Sequence, residues 1–415
     1  MDHSGILFAL LYVFVAAQIG AEVAQRLKLP SVVGEIAAGI LIGPSILGLV
    51  SVAPEMGGHA NSTAEPLLML SEVGAVLLLF SVGLETRLGD LRKVGSSAFQ
   101  VGVIGLIVPF ILGALWAHFS GHDTPRSLFI AAAFVATSAG ITARVLSELG
   151  VLGRIESRVI LGAAVIDDIL AMLLLGVVGS LGKAGGVSVG NLIFSLVAAL
   201  LFVGIVAVGG GRIMREQSAV LDAPISPHSP LILSLVACLG FAALGSKIGL
   251  APIIGSFLAG MAMAETPHRE HLEKRIQVIM AFITPFFFVV TGMQIELAQL
   301  ASWGSVGTLI FITFLAAIGK IVGGGFGARA LGAKSALIVG VGMVPRGEVG
   351  IIVATLGLQQ GVFDQEVYAL IIAMSLLTSI IAPPILKMQF ANIQKEESKA
   401  GEESALHAVE STGHG

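Results

Sequence analysis

Apolar stretches of roughly 17–25 residues, the length that crosses a bilayer as a helix, recur thirteen times along the chain between breaks rich in charge, proline or glycine. They fall near 5–25, 30–49, 65–85, 94–119, 125–149, 157–181, 187–210, 230–247, 250–265, 276–295, 305–328, 335–358 and 366–389. The pattern predicts an all-α polytopic membrane protein with thirteen transmembrane helices and its termini on opposite sides. The first run has no basic region before it and no small-residue cleavage site after it, so it reads as a retained span rather than a secretory signal. After Phe390 the periodicity stops, and a stretch rich in Glu, Lys, Ser and Gly predicts a disordered tail at 390–415.

Charge placement orients these spans. With the N-terminus outside, eighteen of the 23 Lys and Arg fall in inner loops and the tail. Arg126, Lys183 and Lys247 are left outside, while Lys320 and Arg346 lie within spans. That bias is the one expected of inner loops. Composition agrees: 55% of residues are hydrophobic and 12% charged, with mean hydropathy +0.94, against about 25% charged in a soluble domain. The 53 glycines suit close packing of membrane helices and breaks at functional sites. Cys238 is the single cysteine and allows no intrachain disulfide, and a net charge of −4 says nothing about partners.

Short patterns repeat in order. Gly34-Glu35-Ile36-Ala37-Ala38-Gly39 after Pro30 resembles Gly255-Ser256-Phe257-Leu258-Ala259-Gly260 after Pro252, an offset of 221 residues. Phe80-Ser81-Val82-Gly83 pairs with Val289-Val290-Thr291-Gly292 at 209, and Gly140 with Gly347 at 207. Spans 1–6 and 8–13 therefore read as two copies joined by span 7. Because the copies enter from opposite sides they are inverted, as in alternating-access transporters with a site near the midplane.

Three charges sit where a bilayer penalises them. Asp167 and Asp168 lie near the middle of span 6, each at an insertion cost on the order of 2.5–3.5 kcal/mol. Neighbours on a helix point about 100° apart, so one can face a counter-charge and the other a water-filled cavity. Lys320 stands about eight residues from the inner end of span 11, roughly 12 Å deep, and needs a carboxylate, either Asp167 or Asp168. Spans 5 and 12 are interrupted at similar depth by Ala136-Thr137-Ser138-Ala139-Gly140 and by Val344-Pro345-Arg346-Gly347-Glu348. Such breaks free carbonyls and half-helix ends to line a cation site. Arg346 and Glu348 read as structural, compensating the half-helix dipoles and each other.

These residues, together with Gly34 to Pro44 and Phe80-Ser81-Val82-Gly83-Leu84-Glu85, resemble the monovalent cation:proton antiporter superfamily. The resemblance is to the branch of bacterial sodium/proton and Kef-like potassium/proton exchangers, over nearly the whole chain to about residue 389. It implies an elevator mechanism in a homodimer embedded in lipid in the bacterial inner membrane. The dimer domain would comprise 1–93 and 230–297, the moving core 94–185 and 302–389, and the linker helix 186–215. It implies that Asp168 binds sodium and accepts protons, that Asp167 is its neighbour and the partner of Lys320, and that Thr137 and Ser138 lie at the crossing. Asp168, Asp167 and Thr137 would then ligate the metal ion. An aspartate pair with a lysine resembles the electrogenic members. No cofactor beyond the transported sodium or lithium and protons, no nucleic-acid partner and no enzymatic activity are expected. Potassium/proton exchange and sodium-coupled solute symport are the alternative functions. An intramembrane aspartyl protease would need two aspartates facing each other, and neighbours on one helix point apart.

Overall fold

The computed structural model describes residues 3–52, 55–56, 59–60, 63–86, 88–181, 197–198, 200–206, 228–248, 250–294, 300 and 302–412. At 3, 55–56, 59–60, 88–93, 172, 175–176, 179–181, 348, 359 and 394–412 the description is of backbone alone. The helices are α1 (His3–Arg26), α2 (Ser31–Ile42), α3 (Ala64–Glu85), α4 (Leu88–Phe119), α5 (Thr124–Val135), α6 (Ala139–Glu148) and α7 (Ile155–Leu181). After them come α8 (Ser229–Lys247), α9 (Pro252–Met263), α10 (Arg269–Met293), α11 (Trp303–Gly327), α12 (Ala333–Gly342), α13 (Glu348–Gln359) and α14 (Gln365–Thr412). Eight described spans are long and apolar enough to cross a membrane, and four further helices are apolar but shorter. The chain is a polytopic, helical membrane protein. The described residues also include a short 3-10 turn at Arg329–Leu331 and a two-residue antiparallel pair, β1 (Glu55–Met56) and β2 (His59–Ala60).

Local chemistry sets the ends. Asp123 and Ser302 cap α5 and α11 by accepting the backbone N–H of Arg126 (3.3 Å) and Ser305 (3.0 Å), donors that a helix start leaves unpaired. Gly150 (φ +65°) and Gly361 (φ +70°) follow α6 and α13 in the left-handed conformation that ends helices. An ion pair between Arg126 and Asp364 ties the start of α5 to the turn before α14.

Several boundaries depart from the sequence reading. The second apolar run stops being helical at Ile42, before Gly43-Pro44, because the residue preceding proline is pushed out of the helical region. The tenth helix starts at Arg269, seven residues before the predicted 276. The expected disordered tail is instead a continuation of α14 to Thr412. Its Ala, Glu, Lys and Gln are strong helix formers, and extending an existing helix avoids the cost of nucleation. Of the predicted seventh span, 187–210, residues 197–198 and 200–206 are helical; its remainder, and Lys183, lie outside the described residues.

The helices pack as two groups. In the first, α1 lies on α2, α2 on α10, α3 on α9 and α10, and α8 on α9. Glycines bring these backbones into direct contact. A Cβ at Gly34 would stand 1.9 Å from the Gly20 carbonyl oxygen, and one at Gly255 would stand 2.1 Å from that of Phe241. Gly39 and Gly292 abut each other, as do Gly83 and Gly260. The second group joins α4 with α5, α7 and α11, and α11 with α12 and α14, while α13 packs on α5 and α14.

Candidate functional site

The fifth and twelfth apolar runs are each split. Between α5 and α6, Ala136-Thr137-Ser138 is extended, and between α12 and α13, Val344 to Gly347 is non-helical. The two breaks cross. Ser138 donates its backbone N–H to the Pro345 carbonyl (2.7 Å), Thr142 donates its hydroxyl to that of Gly342 (2.8 Å), and Thr137 reaches the Met343 carbonyl at 3.4 Å. Ser138 also caps α6, its hydroxyl oxygen accepting from Ile141 N–H at 3.4 Å. Gly347 is required by proximity, since a Cβ there would lie 2.6 Å from the Ser138 hydroxyl.

Arg346 is fully buried at this crossing. Its guanidinium donates to the carbonyls of Phe134 (2.6 Å), Ala316 (3.0 Å) and Val344 (3.2 Å). Phe134 belongs to the last turn of α5, where carbonyls lack helical partners and the dipole is negative. The arginine therefore sits against the carbonyl end of a half-helix. The side chain of Glu348, the expected partner of Arg346, lies outside the described residues.

One turn beyond Ala316 on α11, Lys320 Nζ donates to both carboxylate oxygens of Asp167 on α7, each at 3.1 Å. Both side chains have no solvent exposure. Of the two aspartates open to Lys320 on sequence grounds, the structure pairs Asp167. The Thr137 hydroxyl is near enough to act on the same carboxylate, and Arg346 on both members of the pair. A buried pair of this kind holds together only with good geometry and further hydrogen bonds, which the crossing provides.

Asp168, 4% exposed, points elsewhere. It lines a narrow cavity of about 10 Å³, room for about one water. The walls come from both groups: Leu79, Ile254 and Phe257 from α3 and α9, Ala139 and Val165 from α6 and α7. Ile253 is common to this cavity and a larger cleft of about 410 Å³, which Leu68, Glu72, Phe287, Gln294 and Val349 help to line.

The structure thus places Thr137, Ser138, Asp167, Lys320 and Arg346 about the crossing, with Asp168 next to Asp167 on α7 and facing the cavity. Two serines of α14 had escaped notice: Ser379 donates its hydroxyl to the Arg346 carbonyl, and Ser375 abuts Gly350. Their signal is a hydroxyl face, Ser375, Thr378 and Ser379, at helical spacing within an apolar run.

Residues 9–391 match the family described as "Sodium/hydrogen exchanger, transmembrane". The chain belongs to this family. The sodium/hydrogen exchangers are membrane antiporters within the monovalent cation:proton antiporter superfamily, and transporters rather than enzymes. Among the exchangers it resembles is the high-affinity Na(+)/H(+) antiporter NhaS3 of Synechocystis sp., 36% identical over 95% of this chain and 92% of that protein. Another is the Na(+)/H(+)-K(+) antiporter GerN of Bacillus cereus, 34% identical over 92% of this chain and 96% of the relative. The fold is that of the sodium proton antiporter MjNhaP1 of Methanocaldococcus jannaschii, with a TM-score of 0.65 at 18% identity, covering 95% of this chain and 98% of the other.

Proposed function

We propose that the chain exchanges sodium or lithium for protons across the bacterial plasma membrane, as a homodimer in which one body of helices slides past the other. The fixed scaffold is α1–α3 with α8–α10, and the moving core is α4–α7 with α11–α14. The observation that carries this reading is the position of Asp168, a buried carboxylate in a cavity walled by both bodies. A site at such a seam changes its access when one wall moves.

The charges of the core define the chemistry. Arg346 is solvated by the carbonyls it holds, and Lys320 is paired with Asp167. Asp168 contributes a carboxylate that a sodium ion or a proton can neutralise, so the two ions compete there. Neutral or sodium-bound carboxylates cross the seam; an ionised, ion-free Asp168 resists, because carrying a carboxylate past apolar walls is costly. Exchange follows without both ions being bound together. Sodium ligation that draws Asp167 and Thr137 toward Asp168 would free Lys320 to give up a proton. That second proton makes exchange electrogenic. The reciprocal glycine contacts, Gly39 with Gly292 and Gly260 with Gly83, link positions equivalent under the sequence repeat and support two inverted copies.

In proteoliposomes, Asp168→Asn abolishes sodium-driven proton flux while the protein stays folded. Vigorous exchange by this variant would overturn the assignment. Lys320→Gln removes the membrane-potential signal of exchange, and an unchanged signal would argue against two protons per sodium. Potassium is the second reading, favoured by the likeness to a relative named as a Na(+)/H(+)-K(+) antiporter. Dequenching of a pH dye in everted vesicles, with sodium, lithium and potassium added in turn, decides between them.

A further inference from the structure

Glu35 is the charged side chain most deeply enclosed in the first group of helices, and the exchange site makes no use of it. It is 3% exposed, and its Oε2 has no hydrogen-bond partner. It stands on α2 one turn past Ser31. Across the seam, Arg144 and Glu148 are likewise one turn apart on α6 and are joined by a 2.8 Å ion pair. Glu148 accepts the Ser31 backbone N–H (3.0 Å) and its hydroxyl, so it closes the start of α2 from the other body. With Glu148 level with Ser31, Arg144 comes level with Glu35. Those two groups of α6 are the ones that act on Glu35 electrostatically. The helices packed around α2 bring small residues, Gly20 and Ala24 from α1 and Gly292 from α10. Lys387 of α14 reaches the adjacent turn, donating to the carbonyl of Lys28 (2.8 Å), a residue held at φ +60°.

We propose that Glu35 is a second proton-binding carboxylate, on the scaffold side of the seam, which when ionised holds the core in register through Arg144 and when protonated releases it. The proposal rests on the sliding-exchanger reading. A slide of one helical turn, about 5.4 Å, brings Glu148 opposite Glu35 in one direction and Gly140 in the other. Either loses the attraction to Arg144, and the first sets two carboxylates together, a repulsion that a proton on Glu35 removes. The ladder thus resists movement in both directions until Glu35 is neutral. It acts on the motion and leaves the ion site untouched.

The test is sodium-driven proton flux of the full chain in proteoliposomes across a range of pH. Glu35→Gln keeps exchange, with KM for sodium within about twofold of the wild type, but its rate on the alkaline limb of the profile rises about fivefold, the scale of a coupled contact. Glu35→Asp keeps the wild-type profile. Arg144→Gln moves the alkaline limb in the same direction, and the double variant moves it no further than Glu35→Gln. A Glu35→Gln profile that superimposes on the wild type overturns the proposal, as do shifts from the two variants that add in full. Should Glu35→Gln fail to fold, an unmoved Arg144→Gln profile overturns it. Absence of flux from the wild-type protein overturns the exchanger reading and this proposal together, whereas an active wild type with unmoved variants counts against Glu35 alone.

Discussion

The two groups of helices are held together by different means. In the first, α1–α3 with α8–α10, backbones touch at glycines such as Gly20 on Gly34 and Gly39 on Gly292, and the buried polar side chains are mostly single hydroxyls that bond their own helix, as Ser234, Thr291 and Ser256 do. In the second, glycines also pack, but Asp167, Asp168, Lys320, Arg346 and Glu156 are buried as well. Backbone contact through small residues is rigid and indifferent to ions. A core organised by charges has arrangements that depend on which charges are neutralised. The division teaches where sensitivity to cations and protons can reside: in the second group, and in the first at a buried carboxylate that faces it, Glu35.

Changes in each region break this contrast differently. The largest effect on stability is expected from Lys320→Gln, which strands the Asp167 carboxylate; loss of one partner of a buried pair costs about 3–5 kcal/mol. Thermal unfolding in detergent measures it, and adding Asp167→Asn should restore most of the loss, because two neutral amides leave neither member of that pair as a stranded charge. Gly39→Ala follows, at about 1–3 kcal/mol for overpacking, since its Cβ would meet the Val289 carbonyl oxygen at 2.1 Å. Because steric overlap carries no charge, its cost should be the same at every pH at which the protein is folded, and a pH-dependent cost would blur the contrast. Ser138→Ala removes a helix cap worth about 1 kcal/mol and relieves the contact with Gly347, so a Gly347→Ala change should be better tolerated in that background than alone, by the same melting assay.

Arg126→Gln, at an exposed tie within the second group, gives the smallest effect. Burial pushes the Asp364 carboxyl up, but hydrogen bonds from the Val367 N–H and from Arg126, with the charge of Arg126, outweigh it and hold the group below its ordinary 3.8. A depressed folded value stabilises above the unfolded one and loses that contribution as pH falls through the folded one. The substitution should therefore cost under about 0.5 kcal/mol at neutral pH, as exposed pairs do, and nothing in strong acid, read from melting at the two pH values. An equal cost at both would mean that Arg126 acts by packing.

The helical, polytopic character was legible because a bilayer demands long apolar runs, eight of which are long enough to cross among the described residues, and the two breaks because proline, glycine and hydroxyls punctuate runs that would otherwise be continuous helices. Asp167, Asp168 and Lys320 were legible because nothing in hydrophobic packing explains them. Which aspartate takes the lysine was open on sequence grounds, since it depends on the rotation of α7 against α11. The carbonyls that receive Arg346 were invisible for a related reason: Phe134 lies 212 residues away along the chain, and a carbonyl has no sequence signature. Ser375 and Ser379 looked like ordinary hydroxyls in a helix. The helical course of 390–412 was missed because low apolar content argues against a packed core without arguing against a lone helix.

The guanidinium at position 346 deserves comparison with the ammonium at position 320. An arginine forks its donors toward several oxygens and keeps its proton under almost any condition, whereas a lysine is a point charge that can surrender one. On the proposed reading, locking the crossing with the first kind leaves a frame that protons do not loosen, and leaves their exchange to other groups such as Asp168 and Lys320. If the proposed exchange holds, a lysine at 346 would add a second labile donor beside Asp167 and would uncouple proton count from cation count.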